Sequence, residues 1–281
     1  MNGLVLEGGA MRGLFTSGVL DVFLENKIEL DAAFGVSAGA ALGCNFKSRQ
    51  IGRALRYNLR FCKDKRYCSF RSLIKTGNLY NAEFCYHTLP DRLDPFDYKT
   101  YRENPLKFFA VTTDISTGTP CYHELPECTY NELELMRASA SMPLVSVPVE
   151  HEGKLLLDGG ITDSIPLKFA QDYGCTKNIV ILTQPRDYRK KPSRISAFFR
   201  FMLRKYPELV RAMKERPQKY NAQTQYVFDQ EKLGNTFVIC PETSLGISRT
   251  CSDAKELRRV YEEGRRTALK VLDSVKNFLS E

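Results

Sequence analysis

Histidine is scarce in this chain: there are three in 281 residues, His87, His123 and His151. None stands at a ligand-like spacing from a cysteine, which argues against a structural zinc site. The nine cysteines form no C-x-x-C pair, and their odd number argues against a disulfide framework. The N-terminus has no basic region ahead of its apolar residues and reads as a strand, not a leader. The expectation is a cytoplasmic protein with scattered, reduced thiols and without a metal or other cofactor. No apolar run approaches the roughly 18 residues of a bilayer-spanning helix. Internal repeats, low-complexity tracts and free-standing linkers are also missing.

What is present suits a folded globular chain. Hydrophobic residues make up 43% and charged residues 26%, which excludes disorder as the main state. The net charge of +8 permits attraction to nucleic acid or to phospholipid headgroups without choosing between them.

Short apolar runs alternate with helical patterns, which predicts parallel strands covered by helices. Gly3 to Glu7 reads as a strand, followed by the turn Gly8-Gly9-Ala10-Met11-Arg12-Gly13. The helix after it has Phe15, Val19, Val22 and Phe23 on one face. Asp31 to Phe34 is a second strand, and Ala40 to Lys47 a helix of small residues. Phe108 to Thr112 and Asn178 to Thr183 read as buried central strands. From Arg186 the texture becomes basic. Residues 194–216 read as a basic, aromatic-rich helical stretch that Pro207 and Pro217 divide into separate helices. Thr236 to Cys240 returns to the sheet. Ser252 then caps an amphipathic helix reaching Leu279, with Leu257, Val260, Tyr261, Leu269, Leu272 and Val275 on its buried side.

Three segments point to chemistry. Gly35-x-Ser37-x-Gly39 puts a hydroxyl on a tight strand-to-helix turn, with small flanking residues where backbone approaches closely, as a nucleophile elbow requires. About 0.1 accidental matches are expected in a chain of this length. Taken alone, the motif leaves a purely structural glycine turn open. Successive N–H groups from Gly8 to Gly13, at the start of a helix, form a donor site for negative charge. A dinucleotide fingerprint competes for the same turn, with Ala10 in place of its second glycine and acids (Glu29, Asp31) about 20 residues on. A ligand-free βα turn is the third reading. Asp158-Gly159-Gly160 places an acid at the end of the apolar run Leu155-Leu156-Leu157, and by itself is equally an ordinary β-turn.

Together with Ala138-Ser139-Ala140-Ser141-Met142-Pro143-Leu144-Val145, these segments occur in an order and setting that resemble the patatin-like phospholipase family. The resemblance runs over roughly residues 3 to 183 and is closest to bacterial members with a helical C-terminal extension. It implies a three-layer α/β/α fold with a mostly parallel central sheet, and a lipolytic serine acyl hydrolase with a Ser–Asp dyad and no catalytic histidine. Ser37 matches the nucleophile and Asp158 the base. Gly8, Gly9, Ala10, Arg12 and Gly13 fall on the oxyanion loop, Gly35 and Gly39 on the elbow, and Gly159 and Gly160 on the acid turn. The implied organisation is a catalytic domain over residues 1–185 and a mainly helical extension over 186–281, packed on the core.

Two departures stand out. Glu7 replaces the family's aspartate before the glycines, and Ala10 replaces the third glycine. Ala10 keeps its N–H, although its methyl group disfavours a φ above zero. The expected partner is a lipid or other acyl-ester substrate. The stretch 194–216 suits peripheral contact with an anionic membrane, a lid over the acyl pocket, or a helix docked on the core. No nucleic-acid reader motif is present. The alternative function is a lipid- or partner-binding protein that keeps the fold without turnover.

Overall fold

The computed structural model describes residues 1–192 and 201–280. Its strands are β1 (Asn2–Leu6), β2 (Ala32–Val36), β3 (Lys107–Asp114), β4 (Thr119–Glu124), β5 (Val149–His151), β6 (Lys154–Asp158), β7 (Lys177–Ile181) and β8 (Thr236–Ile239). The α-helices are α1 (Gly13–Glu25), α2 (Ala38–Lys47), α3 (Arg53–Phe61), α4 (Phe70–Thr76), α5 (Tyr98–Glu103), α6 (Tyr130–Ser139), α7 (Leu167–Asp172), α8 (Pro207–Lys232) and α9 (Ala254–Ser280). A π-helical segment, Phe84–Leu93, lies between α4 and α5.

All eight strands form one sheet. Its parallel part runs β3-β2-β1-β7-β8, and β4, β5 and β6 add antiparallel pairings beside β3. Side chains alternate across it with the period of two that a strand dictates. Leu4, Leu6, Ala33, Phe108, Ala110, Ile179 and Ile181 face one helical layer, in which α1, α2, α6 and α9 bury their apolar sides. Val5, Phe34, Phe109 and Val180 face the other layer, made by α7 and α8. Covering both faces explains why these strands read as continuous apolar runs. The result is a three-layer α/β/α fold with a mostly parallel sheet and C-terminal helices.

The terminal helix α9 is part of the first layer. It crosses α1 at two glycines: a Cβ on Gly18 would lie 2.1 Å from Tyr261 O, and one on Gly264 would lie 2.0 Å from Phe15 O. Only hydrogen fits there. The crossing is keyed by Tyr261 Oη, which donates to Asp21 Oδ2 at 2.6 Å, and by Arg265 paired with Glu25 at 2.8 Å.

Three expectations are corrected. Pro217 does not divide the basic stretch, because α8 runs through it without a break. Pro207 opens that helix, where its missing N–H costs nothing. An interior proline costs about 3 kcal/mol, and here the burial of Leu209, Ala212, Tyr220 and Val227 on both sides of Pro217 offsets it. The cap of α9 is Asp253, not Ser252: Asp253 Oδ1 accepts Lys255 N–H at 2.8 Å and its carbonyl accepts Leu257 N–H at 3.0 Å. Leu269 is 53% exposed, since the inward stripe of α9 passes through Gly264 and Ala268, where α1 leaves no room for a large side chain. Of the stretch 194–216, residues 194–200 lie outside the described residues, and Pro207 onward belongs to α8. No described helix is long and apolar enough to cross a membrane.

Candidate active site

Strand β3 brings two distant segments together. Its residues Lys107 to Val111 pair with β2, ending at the match of Val111 with Val36. Its next residue, Thr112, pairs with Asp158 of β6. Strand β4 holds the other edge of β3 from Phe109 to Asp114, so β2 and β6 follow one another along the remaining edge. Ser37, which follows Val36, and Asp158 therefore meet at the place where one neighbour of β3 gives way to the next. The segment Ser139–Pro143 fastens both sides. Ser139 Oγ accepts Ser37 N–H at 2.9 Å and donates to Val111 O at 2.6 Å, while Ser141 O accepts Asp158 N–H at 2.8 Å.

Ser37 has φ 55° and ψ −120°, a conformation that costs a non-glycine residue on the order of 1–3 kcal/mol. Its carbonyl accepts the N–H groups of Ala40 and Ala41, both at 3.0 Å, so α2 starts directly from the turn. The flanking glycines serve here by lacking a Cβ. One on Gly35 would lie 2.6 Å from Ala40 Cα, and one on Gly39 would lie 2.4 Å from Leu6 O. The left-handed backbone is carried by the serine itself.

The turn after β1 packs under this elbow. A Cβ on Gly8 would lie 2.9 Å from Ser37 Cβ, and one on Gly9 would lie 2.7 Å from Thr183 Oγ1. Ala10 adopts φ 50°, the conformation its methyl group opposes, at a cost of roughly 1–2 kcal/mol. Among the described residues, the N–H groups of Gly9 and Ala10 have no acceptor. Those of Arg12 and Gly13 donate within the turn, to Gly9 O and to Ala10 and Met11 carbonyls. Gly13 instead lets α1 approach α2, since a Cβ there would lie 2.9 Å from Ala38 Cβ. Glu7 is buried and its carboxylate is filled: it accepts Thr183 N–H at 2.6 Å, Thr183 Oγ1 at 3.1 Å and Tyr220 Oη at 2.7 Å.

Asp158 is buried at the end of β6, with Oδ1 accepting Gly160 N–H at 2.7 Å. Burial pushes its pKa above the ordinary carboxylate value. The Arg216 guanidinium, the Ser37 side chain and the Gly160 N–H work in the opposite direction. Gly159 lets the chain pass β3, as a Cβ there would lie 2.2 Å from Val111 O.

Ser37 sits between two unlike cavities. One, of about 420 Å³, is mostly apolar and is lined by Met11, Leu14, Leu42, Leu133, Met136 and Tyr86 among others. The second, of about 130 Å³, is polar and holds Asp158 together with Gly8, Gly9, Ala10, Arg12, Lys190, Arg216 and Arg249. No histidine lines either cavity. His87 lies 3.1 Å from Glu134, and His123 lies 2.8 Å from Thr112 Oγ1 with its pKa lowered to about 4, chiefly by burial. His151 lies 3.9 Å from Glu152. The acids of the dinucleotide reading are engaged elsewhere, Glu29 with Arg49 at 2.9 Å and Asp31 with Asn2 N–H at 2.6 Å. Among the described residues no group of His, Cys, Asp and Glu could hold a metal ion. Sequence reasoning missed Lys190, Arg216, Arg249 and Tyr220, whose only advance signal was the basic texture beyond Arg186.

The family model of patatin-like phospholipases matches residues 4–170, and a second, described as a domain of unknown function (DUF6363), matches residues 206–280. The chain is 28% identical over 284 residues to the uncharacterized protein YjjU of Escherichia coli strain K12, covering 99% of this chain and 79% of that protein. It is 27% identical over 184 residues to the lysophospholipase NTE1 of Meyerozyma guilliermondii, covering 64% of this chain and 12% of that protein. Among solved structures, VipD from Legionella pneumophila is similar with a TM-score of 0.47 and 13% identity, over 97% of this chain and 67% of that one.

Proposed function

The chain belongs to the patatin-like phospholipase family, and we propose that it is a serine acyl hydrolase cleaving carboxylic esters of lipids through Ser37 and Asp158. The observation that carries this reading is the placement of Ser37, on a strained elbow between a large apolar cavity and a small polar one that contains Asp158. An ester with a long acyl chain has the same two-sided character.

In this reading the acyl chain enters the apolar cavity and the ester carbonyl lies over Ser37 Oγ. Asp158 takes the hydroxyl proton as Oγ attacks the carbonyl carbon. The oxyanion is received by the N–H groups of Gly9 and Ala10, each worth a few kcal/mol in a water-poor site. As the tetrahedral intermediate collapses, the carbon–oxygen bond to the alcohol breaks and Asp158 returns its proton to the leaving oxygen. Water then attacks the acyl-enzyme with Asp158 again as base, releasing the fatty acid and restoring Ser37. A carboxylate is a weak base towards a serine hydroxyl, so its raised pKa helps, while the Arg216 guanidinium opposes that rise. We read residues 1–185 as the catalytic domain and 186–281 as an extension that contributes Lys190, Arg216 and Arg249 to the site. Exposed Phe201 and Met202 beside Arg204 and Lys205 support peripheral contact with an anionic membrane.

A fluorophosphonate probe should label the wild-type protein and fail on Ser37→Ala. A panel of phospholipids, lysophospholipids, glycerides and soluble esters should be hydrolysed by wild type alone. A folded protein that neither reacts with the probe nor cleaves any ester of the panel would favour the binding-only alternative.

A further inference from the structure

The apolar cavity beside Ser37 has a buried floor, at Leu14 and Leu42, and a rim of half-buried and exposed residues, Leu79, Val145, Arg249 and Thr250. Its mouth therefore lies between the segment after α4, the segment before β5 and the loop before α9. Helix α4 is tied to this rim at both ends. Ser69 Oγ caps its N-terminus by accepting Ser72 N–H at 3.0 Å, and Ser69 N–H donates to Leu79 O at 3.0 Å. Leu79 N–H donates to Val145 O at 2.8 Å, and Asn78 Oδ1 accepts Val147 N–H at 2.9 Å. A Cβ on Gly77 would lie 2.5 Å from Val147 Cγ2, so the end of α4 rests directly on Val147.

The inward position of α4 is polar: Ser72 is buried, and its Oγ donates to Asn78 O at 2.7 Å. The apolar side chains stand outward instead. Phe70 and Ile74, one turn apart, are 78% and 85% exposed, the two most exposed large apolar side chains among the described residues. Val147 beside them is 46% exposed. A surface helix normally turns its apolar stripe to the core, and the hydrogen bonds at Ser69, Ser72 and Asn78 hold α4 the other way round. Residues 60–76 also carry six basic side chains, all exposed, against the single acid Asp64, which pairs with Arg66 at 2.8 Å. Lys63, Lys65, Arg71 and Lys75 stand beyond ion-pair distance of any carboxylate among the described residues. Lysine is depleted from protein–protein interfaces. An apolar patch framed by lysine and arginine fits an anionic bilayer, where the apolar groups enter the interface and the cations meet phosphates.

We infer that α4 and Val147 form the face by which this protein docks on an anionic phospholipid surface, setting the mouth of the apolar cavity against the bilayer. The inference rests on the hydrolase reading above for its purpose, and deepens it. A long acyl chain passes from the lipid layer by way of Leu79 and Val145 to Ser37, and is never fully exposed to water. The face is separate in sequence from Phe201 and Met202, which precede α8.

The chain contains no tryptophan, so Phe70→Trp puts a sole indole on α4, and Leu233→Trp puts one at an exposed position just after α8. Both variants are titrated with vesicles of phosphatidylcholine, alone and mixed with phosphatidylglycerol. Emission from Phe70→Trp should shift to the blue on the mixed vesicles and the shift should weaken with added salt, while emission from Leu233→Trp should stay where it is. In co-sedimentation, Phe70→Ser/Ile74→Ser should bind the mixed vesicles about tenfold more weakly than wild type, and Arg71→Glu/Lys75→Glu should lose the preference for anionic lipid. All four side chains are exposed, so both variants should hydrolyse a short, water-soluble ester as wild type does and should lose rate on vesicle lipid. If wild type cleaves no ester, the hydrolase reading fails while the vesicle measurements still decide the docking face. No vesicle binding by folded wild type, or binding without a shift in Phe70→Trp, overturns the inference. A dimer that Phe70→Ser/Ile74→Ser splits into monomers, with vesicle binding unchanged, assigns the face to a second copy of the chain and overturns it as well.

Discussion

Ser139 holds the backbone of Ser37: its hydroxyl accepts the Ser37 N–H at 2.9 Å and donates a hydrogen bond to Val111 O at 2.6 Å. A residue with φ 55° persists only when its surroundings enforce that conformation. Ser139→Ala removes the acceptor of the half-buried Ser37 N–H and a buried donor to Val111 O, which costs about 1–3 kcal/mol. The expected result is a drop in thermal stability together with a loss of kcat larger than any change in KM, because Ser37 loses its position and the cavities keep theirs. Ser139→Thr should recover part of both. Equal kcat in wild type and Ser139→Ala would remove the elbow-holding role.

Asp158 carries a pKa raised mainly by burial, so its ionised form costs the fold free energy. The sign follows from linkage: the penalty is present above the folded-state pKa and absent below the unfolded one, near pH 4. Asp158→Asn is therefore expected to raise the melting temperature at pH 7 by roughly 2–5 °C, with the advantage shrinking towards pH 4. Activity should fall about 10²–10⁴-fold in the same variant. In wild type, kcat/KM for a neutral ester should decline on acidification at a pH above the ordinary carboxylate range. Arg216→Gln should move that decline higher still. Melting curves and pH–rate profiles check both.

No histidine lines either cavity at Ser37. The expectation is that His87→Ala, His123→Ala and His151→Ala each retain activity within about tenfold. His123→Ala carries the largest stability cost of the three, because it orphans Thr112 Oγ1. A thousandfold loss of kcat in any of these variants, with folding intact by circular dichroism, would replace the Ser–Asp pair with a histidine mechanism.

The crossing of α1 and α9 has no room for a methyl group at Gly264, where a Cβ would lie 2.0 Å from Phe15 O. Gly264→Ala must push the helices apart, and overpacking of this kind typically costs about 1–3 kcal/mol or more. A melting temperature lower by on the order of 5–10 °C is expected. Gly246→Ala is no control for this, since Gly246 has φ 60°. Leu269→Ala is the better comparison: it lies on the exposed side of the same helix and should change the melting temperature by no more than about 2 °C.

Much of the fold is legible in the chain because strands and helices announce themselves by period. The runs at Gly3–Glu7, Phe108–Thr112 and Asn178–Thr183 mark strands that turn out to be buried on both faces, within two residues of their observed ends. The glycine turn, the elbow and the acid turn were each visible, since close backbone approach demands residues without a Cβ and leaves a local trace. Pro217 and Leu269 were misread because their environments depend on partners far away in sequence. The burial around α8 sustains an interior proline, and α1 selects small residues from α9.

By itself, the sequence determined the main parallel strands, the fact that helices cover them and the set of small residues around Ser37. All of these follow from short-range rules: side-chain period, turn chemistry and steric room. Only the tertiary structure decided which residues share the site. Strand β3 sets Asp158 against the elbow by handing one edge from β2 to β6, while the segment after β7, helix α8 and the loop before α9 carry Lys190, Arg216 and Arg249 into the same small cavity. Such meetings leave no local trace, because a cation such as Lys190 or Arg216 looks like any solvated basic residue until the fold half-buries it.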